Sequence, residues 1–270
     1  MIDLSFTRRS DWEDVYEPSE DSFLMEDALV QDRTEILKRK PALVCEVGCG
    51  SGYLSACLLK ILKESADRMP LPVAFLVDVN PKALEMSQRV ILGNKISCAM
   101  EPVEMSLFTR FPKARGLFDI IIFNPPYVPS SNSELNRSIL NSGIDSAWSG
   151  GADGLFFVSY FLFGDSRLIR TGADHQPKEE EAIRIETQFR DFPCLSDVLA
   201  PNGVCYLLLE ESNRPCFTIE QILKDQRYAG WTARPIIDRK VPQEHLFIIK
   251  ISSGPSLNQP DPANRASDSS

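Results

Sequence analysis

The fold of this 270-residue chain is decided by one short stretch, Leu43-Val44-Cys45-Glu46-Val47-Gly48-Cys49-Gly50-Ser51-Gly52. Its first half is an apolar run typical of a buried strand, and its second half has a glycine at every other position. Apolar residues then recur at helical spacing from Leu54 to Leu62. The stretch therefore predicts a strand, a tight turn and a helix. Such a turn lets the backbone approach a ligand closely, but on its own it also fits simple packing of a strand against a helix.

Similar units of strand and helix follow along the chain. Apolar runs predict strands at residues 73–79, 96–103, 118–123, 203–209 and 245–251, separated mainly by helical or loop stretches. A helix is predicted before the first strand, with Ser19 as its cap. This alternation indicates an α/β fold with a doubly wound sheet.

Length and composition favour one domain. With 270 residues, of which 43% are hydrophobic, the chain can bury a single core, and we assign residues 1–252 to it. A surface insertion is predicted at about 155–183, because much of this region is polar and includes the acidic run 179–181. Residues 253–270 are rich in Ser, Pro, Asn and Asp and are predicted to form a disordered tail.

The charge and the cysteines argue against several classes of protein. A formal net charge of -9 disfavours a phosphate backbone as the main partner. The seven cysteines form no C-x-x-C pair and neither histidine has metal-ligand spacing, so no disulfide framework and no metal site is predicted. The sequence has no apolar run long enough to span a bilayer. We expect no membrane association and a cytoplasmic protein, with the nucleus as a second compartment.

Asp78 ends the second predicted strand and is followed by Asn80-Pro81. At the open edge of such a sheet a carboxylate can accept hydrogen bonds from both hydroxyls of a ribose. Capping of the next helix is the alternative role for Asp78, and the glycine turn upstream favours the ligand. A dinucleotide-binding fingerprint would have a third glycine where Tyr53 stands, which weakens a nicotinamide-dependent function.

The most specific motif is Asn124-Pro125-Pro126-Tyr127, directly after the apolar run 118–123. Open α/β sheets keep their active sites at the carboxyl ends of their strands. Two prolines fix the backbone, so the Asn124 amide and the Pro125 carbonyl can be held as hydrogen-bond acceptors while Tyr127 offers a flat face. This arrangement would bind a planar N–H2 group. A rigid loop or a partner-binding motif is the alternative interpretation, and the position in the sheet disfavours it.

Five pieces of sequence carry a family resemblance. They are Tyr16-Glu17-Pro18-Ser19-Glu20-Asp21-Ser22, Glu46-Val47-Gly48-Cys49-Gly50-Ser51-Gly52, Asp78-Val79-Asn80-Pro81, Asn124-Pro125-Pro126-Tyr127-Val128, and Gly143-Ile144 with Ala147-Trp148-Ser149-Gly150-Gly151. In this order they resemble the HemK-type protein glutamine methyltransferases, especially the short eukaryotic and archaeal branch that modifies release factors. The resemblance implies the mostly parallel, seven-stranded sheet of the class I, Rossmann-like S-adenosylmethionine-dependent methyltransferases.

The resemblance also implies roles for individual residues, with S-adenosyl-L-methionine as the cofactor. The implied cofactor-binding residues are Ser22, Glu46, Gly48, Gly50, Asp78, Ser106, Leu107 and Asn124. The implied catalytic residues are Asn124, Pro125, Pro126 and Tyr127. Ser22 would approach the methionine carboxylate and Asp78 would hold the ribose hydroxyls. Ser106 stands where the family has an aspartate near the adenine amino group, so the adenine contact is left open.

The function implied by the resemblance belongs to translation termination. It is N5-methylation of the glutamine in the Gly-Gly-Gln motif of a class I peptide chain release factor. The family pairs with a small zinc-binding activator protein, and the apolar run 96–103 predicts a hydrophobic sheet edge for such a partner. We therefore expect a heterodimer.

Three other functions stay open. An adenine N6-methyltransferase acting on DNA or RNA would present the same donor geometry to residues 124–127, although the acidic charge and the lack of an accessory domain disfavour it. Methylation of a protein lysine is a further possibility. A non-catalytic, cofactor-binding scaffold subunit is the alternative from another class, and the intact motif at residues 124–127 disfavours it.

Overall fold

The computed structural model describes residues 2–64, 70–112, 116–140, 147, 149–169 and 192–254. Within these ranges the strands are β1 Leu43–Val47, β2 Val73–Asp78, β3 Met100–Glu104, β4 Phe118–Phe123, β5 Leu199–Glu210, β6 Thr232–Val241 and β7 Glu244–Ser252. The α-helices are α1 Glu20–Gln31, α2 Arg33–Arg39, α3 Tyr53–Lys63, α4 Pro81–Gly93, α5 Asn132–Leu140, α6 Phe156–Phe163, α7 Leu195–Val198 and α8 Pro215–Lys224. Short 3-10 helices cover Arg9–Glu13, Glu211–Asn213 and Gln226–Tyr228.

The strands form one seven-stranded sheet in the order β3-β2-β1-β4-β5-β7-β6. The first five of these strands run parallel, and β7 pairs antiparallel with both β5 and β6. The predicted doubly wound, mostly parallel sheet is confirmed. The strand order reverses between β1 and β4, which is where open sheets of this type leave a crevice. Val47 pairs with Phe123 at this point, so the turn after β1 lies beside the turn after β4.

The central strands supply two hydrophobic cores, one on each face of the sheet. Ile120 and Ile122 of β4 pack with α1, α3 and α4 in one core. Ile121 and Phe123 pack with α6 and α8 in the other. Because successive side chains of a strand point to opposite faces and helices cover both faces, the central strands have continuous apolar runs.

Both edge strands differ from the sequence prediction. β3 begins at Met100, and its Glu101 and Glu104 are exposed, so the prediction of an apolar edge strand over 96–103 is wrong. Ile96 is buried in the turn that precedes β3. The sequence pattern does not predict β6, because this strand mixes charged residues with Pro235. Charges and proline are ordinary in an edge strand, where one side faces solvent.

The predicted surface insertion at about 155–183 is wrong in its first part. Seven of the eight residues of α6 are buried, and six of them belong to the second core. This helix has no polar face, which is typical of a helix surrounded by protein on all sides. Residues 170–183 of the predicted insertion lie outside the described residues.

The first two residues of the predicted tail, Ser253 and Gly254, are hydrogen-bonded to the sheet. Ser253 N donates to the Gly203 carbonyl at 3.1 Å, and Asn202 N donates to the Gly254 carbonyl at 3.2 Å. These two tail residues therefore bind the backbone of β5 at Asn202 and Gly203. Residues 255–270 lie outside the described part of the chain.

Gly52 offers a test of the packing between α3 and α4. It has a φ of 73°, and an added Cβ would lie 2.5 Å from Ser87 Cβ. Gly52→Ala should lower the free energy of unfolding by about 2–4 kcal/mol, because backbone strain adds to a clash with a helix. Gly230 has a φ of 80° with open space around it, so Gly230→Ala should cost only about 1–2 kcal/mol. Urea unfolding of both variants measures the difference, and equal losses would contradict the packing argument.

Candidate active site

The glycine turn after β1 forms the floor of a cleft. Gly48 and Gly50 have φ values of 64° and 48°, and a Cβ added to either would meet no protein atom within 4 Å. These two glycines therefore border open space, whereas Gly52 is required by helix packing. The Cys49 N–H donates to the Val77 carbonyl at 2.9 Å, which joins the turn to β2. The turn serves both a ligand and the fold, through different glycines.

Asp78, at the end of β2, is fixed against this turn. Gly50 N donates to its Oδ2 at 2.9 Å, and Asn80 N donates to its Oδ1 at 2.9 Å. Each carboxylate oxygen can accept a further hydrogen bond. Asn80, whose Oδ1 accepts from Lys82 N at 3.0 Å, caps α4. Capping therefore does not explain Asp78, and burial of its carboxyl group raises its pKa.

Glu46, near the end of β1, is a second buried carboxyl group. It is 4% exposed, and its Oε2 accepts from Ser55 N at 2.8 Å. Burial, with a smaller contribution from the nearby Asp78, raises the pKa of Glu46 to about 8, although hydrogen bonds from Ser55 favour the carboxylate. A carboxyl group with this environment ionises readily only when a positive charge approaches it.

Asn124, directly after β4, is oriented by an acidic side chain of α1. Its Nδ2 donates to Asp21 Oδ2 at 2.9 Å. Asp21 Oδ1 accepts from Ser22 N at 2.7 Å and from the Tyr16 hydroxyl at 3.3 Å. Among the described residues, the buried Asn124 Oδ1 has no hydrogen-bond donor. Because a carboxylate only accepts hydrogen bonds, Asp21 must face the Nδ2 of Asn124. The Oδ1 of Asn124 is therefore an acceptor without a donor among the described residues.

Two later glycines support the turn that carries Asn124. A Cβ on Gly150 would lie 2.5 Å from the Pro126 carbonyl oxygen, and one on Gly154 would lie 2.0 Å from the Tyr127 carbonyl oxygen. Asn213 Nδ2 donates to the same Tyr127 carbonyl at 3.1 Å. Within the described residues no hydrogen bond reaches the Pro125 carbonyl. The backbone of the motif is therefore clamped from behind while the Pro125 carbonyl is available as an acceptor.

Most of the residues predicted from the sequence line one cavity of about 310 Å³. This size is ordinary for a small-molecule site. The predicted residues that line it are Ser22, Glu46, Gly48, Gly50, Asp78, Ser106, Leu107, Asn124, Pro125 and Pro126. Tyr127 does not line it. Its side chain is half-buried against the first core, and its hydroxyl donates to Glu244 Oε2 at 3.3 Å.

The charges of the cavity fit S-adenosylmethionine. Arg110 is the only lysine or arginine among the lining residues that the structure describes, while Glu46 supplies a buried carboxyl group and Asp78 a half-buried one. The sulfonium and the α-amino group of the cofactor are positive and suit these carboxylates, whereas the pyrophosphate of a dinucleotide would be repelled. Gly48 and Gly50 leave the space in which such a ligand would lie.

Several lining residues are absent from the sequence prediction. Val15 and Tyr16 come from the segment before α1, Arg110 follows β3, and Phe157 comes from α6. The continuous apolar run of α6 was a signal of burial that could have placed Phe157 in the core. Ser106 and Leu107 line the cavity together with Arg110.

Two other kinds of site have no candidate in the described ranges. No group of three or more His, Cys, Asp or Glu side chains is arranged to hold a metal ion. None of the helices described here is long and apolar enough to cross a membrane.

Comparison with known proteins gives consistent matches. Residues 28–158 match the family model of the methyltransferase small domain. The chain is 30% identical over 245 residues to the human protein "Methyltransferase HEMK2", covering 90% of this chain and 92% of that protein. It is 29% identical over 252 residues to "eRF1 methyltransferase catalytic subunit mtq2" of Schizosaccharomyces pombe, covering 90% and 91%. The fold is similar to a chain of the E. cuniculi Mtq2-Trm112 complex, with a TM-score of 0.52, 21% identity, and coverage of 90% and 99%.

Glu46 predicts a pH dependence of cofactor binding. Its pKa of about 8 means that the carboxyl group of the empty cavity is mostly protonated below that pH. A cationic ligand favours the carboxylate, so affinity for S-adenosylmethionine should rise by up to about tenfold per pH unit toward pH 8 and then level off. Titration calorimetry in two buffers of different ionisation enthalpy should detect release of a proton. A wild-type affinity independent of pH would contradict this role.

Glu46→Gln is the control, with a second and opposite effect on stability. Its affinity should be lower than that of the wild type and independent of pH over the same window. The folded pKa of Glu46 is raised above its unfolded value, so this group destabilises the empty protein increasingly as the pH rises through and above the unfolded value of about 4.3. The variant should therefore unfold at a higher temperature than the wild type near pH 8 when no cofactor is present.

Proposed function

Because the chain belongs to the HemK family of S-adenosylmethionine-dependent methyltransferases, we propose that it methylates the glutamine amide in the Gly-Gly-Gln motif of a class I release factor. Its 30% identity over 92% of human HEMK2 establishes the family. The fission-yeast relative is named as a methyltransferase of eRF1, a release factor. The single observation that carries the proposal is the buried Asn124 Oδ1, which has no donor in the described part of the chain.

A planar amide fits the acceptors around Asn124. The nitrogen of a glutamine side chain has two N–H groups in one plane, so it needs two acceptors held in fixed directions. Asn124 Oδ1 supplies one, and the Pro125 carbonyl supplies the other. Asp21 prevents the Asn124 amide from rotating, because rotation would face a carbonyl oxygen toward a carboxylate. The geometry therefore suits an amide before the substrate arrives.

The residues of the chain act mainly by position and polarisation. S-adenosylmethionine supplies a methyl group that its sulfonium already activates, so no strong general base is needed. Glu46, Asp78 and the turn at Gly48 and Gly50 would hold the cofactor. Asn124 Oδ1 and the Pro125 carbonyl would polarise the N–H bonds of the amide as positive charge develops on its nitrogen. The glycine and proline backbone keeps these acceptors at fixed positions.

Charge argues against the two nearest alternative substrates. A lysine nitrogen must lose its proton before it can accept a methyl group, and the acidic side chains of Asp21, beside Asn124, and Glu244, beside Tyr127, would stabilise the protonated form. An adenine base in duplex DNA would bring phosphates to a protein with a formal net charge of -9. A neutral glutamine amide in a release-factor loop brings neither a proton that must first be lost nor a phosphate backbone to the site. It also agrees with a cytoplasmic location, which we propose on the same ground.

A partner subunit is proposed at the β3 edge of the sheet. β3 is an outer strand, and α4, which packs beside it, exposes 57% of Leu92. At the opposite edge of the sheet, α1 packs on β6, and Arg239 of β6 forms ion pairs with Glu20 and Asp27 of this helix. A strand or a small apolar surface could therefore extend the sheet at β3. The similar E. cuniculi chain is part of a two-protein assembly, the Mtq2-Trm112 complex.

Asn124→Ala should reduce turnover far more than cofactor affinity. The lost acceptor is used most fully in the transition state, so the rate should fall by about a hundredfold to a thousandfold. Asp21→Asn should give a smaller loss, because a neutral amide at position 21 no longer fixes the orientation of Asn124. Methyl transfer to a release factor with a Gly-Gly-Gln loop measures both rates. Wild-type turnover in Asn124→Ala would overturn the mechanism.

The same assay separates the substrate classes. A release factor with Gly-Gly-Asn in place of Gly-Gly-Gln is the matched acceptor control, and duplex DNA and a lysine peptide are the alternative acceptors. Methylation of DNA or lysine with none on the release factor would overturn the substrate assignment while leaving the enzyme class intact.

The partner is tested by a substitution on α4. Leu92→Asp places a charge in the exposed apolar surface beside β3 and should abolish co-purification with the activator subunit, because a buried unpaired carboxylate is costly. Leu223→Asp is the matched control, since Leu223 of α8 is 53% exposed on a different helix. The Leu223→Asp variant should still co-purify with the activator subunit. Equal behaviour of the two variants would remove the β3 side as the interface.

A further inference from the structure

The segment before α1 forms one wall of the cofactor cavity. Asp14, Val15, Tyr16 and Pro18 all line it. Of residues 2–19, only Ile2 and Val15 are buried. Apolar contacts of Ile2, Val15, Leu4 and Trp12 with the first core hold the segment as a whole, while polar contacts fix the wall at Asp14.

The segment contacts α4 and its two flanking residues, and it runs in the opposite chain direction to this helix. The pairs, in order along the segment, are Asp3 with Asn94, Phe6 with Gly93, Asp11 with Arg89, and Asp14 with Lys82 and Asn80. At Gly93 an added Cβ would lie 2.5 Å from the Phe6 ring, so the glycine admits the ring. The segment thus runs along α4 and enters the cavity at the first turn of this helix.

Asn80 makes the contact nearest to the cavity. Its Nδ2 donates to the Asp14 carbonyl at 2.8 Å, and the residue is 8% exposed. The other contact of Asp14, a 2.6 Å ion pair with Lys82, is between side chains that are 61% and 45% exposed. Exposed ion pairs contribute little to stability, whereas a buried amide that loses its acceptor is costly. Asn80 therefore holds the wall more firmly than Lys82 does.

Asn80 also joins this wall to the carboxylate that is assigned to the ribose. Its backbone N–H donates to Asp78 Oδ1, and its side-chain Oδ1 caps α4 through Lys82 N. One residue thus connects the floor of the cavity, the start of α4 and the N-terminal wall. None of these contacts involves an acceptor substrate.

We propose that the Asn80 side-chain amide is a positioning contact that holds residues 14–18 against the bound cofactor and so sets how long the cofactor stays bound. The inference rests on the assignment of this cavity to S-adenosylmethionine. In this proposal the cofactor leaves when the wall moves away from α4, which breaks the hydrogen bond from Asn80 to the Asp14 carbonyl.

Asn80→Ser tests the proposal in the full chain. Serine keeps the helix cap but cannot reach the Asp14 carbonyl. Loss of one buried hydrogen bond should raise the dissociation rate of S-adenosylmethionine by about fivefold to twentyfold. The KM for S-adenosylmethionine should rise by a larger factor than kcat on the release factor changes. Amide hydrogen exchange of residues 12–18 in the cofactor-free protein should accelerate, while exchange in β4 should stay unchanged.

Two further variants complete the experiment. Asn80→Asp has the length of asparagine and keeps the cap but has no N–H to donate, so it should release the cofactor faster if Asn80→Ser does not fold. Lys82→Met removes only the exposed ion pair with Asp14 and should leave the dissociation rate near that of the wild type.

The outcomes separate this proposal from the function proposed above. Unchanged dissociation and unchanged exchange at residues 12–18 would overturn the positioning role, and so would faster exchange throughout the sheet, since that would show a merely structural contact. A wild-type chain that binds no S-adenosylmethionine would overturn the function instead, while exchange at residues 12–18 would still test the contact between Asn80 and Asp14.

Discussion

The pairing of Val47 with Phe123 in adjacent parallel strands is the constraint on which the rest of the structure depends. It places two turns side by side at the point where the strand order reverses, and each turn carries one half of the site. The turn after β1 provides open space at Gly48 and Gly50, and the turn after β4 provides Asn124. A shift of one residue in this pairing would send every β4 side chain to the opposite face and would separate the two turns.

Charge is the second organising feature of the site. Glu46 is buried and Asp78 is half-buried, neither forms an ion pair with a residue that the structure describes, and burial raises the pKa of both. Such an arrangement costs stability in the empty protein and favours a positively charged ligand. Asp21 is placed differently, because it accepts hydrogen bonds from Ser22 N, the Tyr16 hydroxyl and Asn124 Nδ2. On the acceptor side of the cavity the carboxyl group is thus engaged by protein donors, whereas each carboxylate oxygen of Asp78 on the cofactor side can accept a further hydrogen bond.

The remainder of the chain supports these two turns from several directions. Gly150 and Gly154 lie against the carbonyls of the turn after β4, where any side chain would collide. α6 fills the core beneath β4 and contributes Phe157 to the cavity. The segment before α1 closes the cavity along α4 through Asp14 and Asn80. Parts of the sequence far from the motifs therefore decide the shape of the site.

Ten of the eleven predicted site residues line the cavity, and four of these ten, Ser22, Glu46, Ser106 and Leu107, were predicted only from the family resemblance. The sequence by itself determined the strand–turn–helix at residues 43–62 and the doubly wound sheet. These are local properties, since strand burial, glycine turns and proline rigidity depend on neighbours along the chain. Only the tertiary structure decided that Tyr127 lies outside the cavity, that Asp21 orients Asn124, and that α6 is buried. It also decided the edge strand β6, whose charged residues carry no alternating pattern. The physical reason is that each of these features depends on a contact between residues far apart in sequence, such as the 103 positions between Asp21 and Asn124, and no local pattern encodes such a contact.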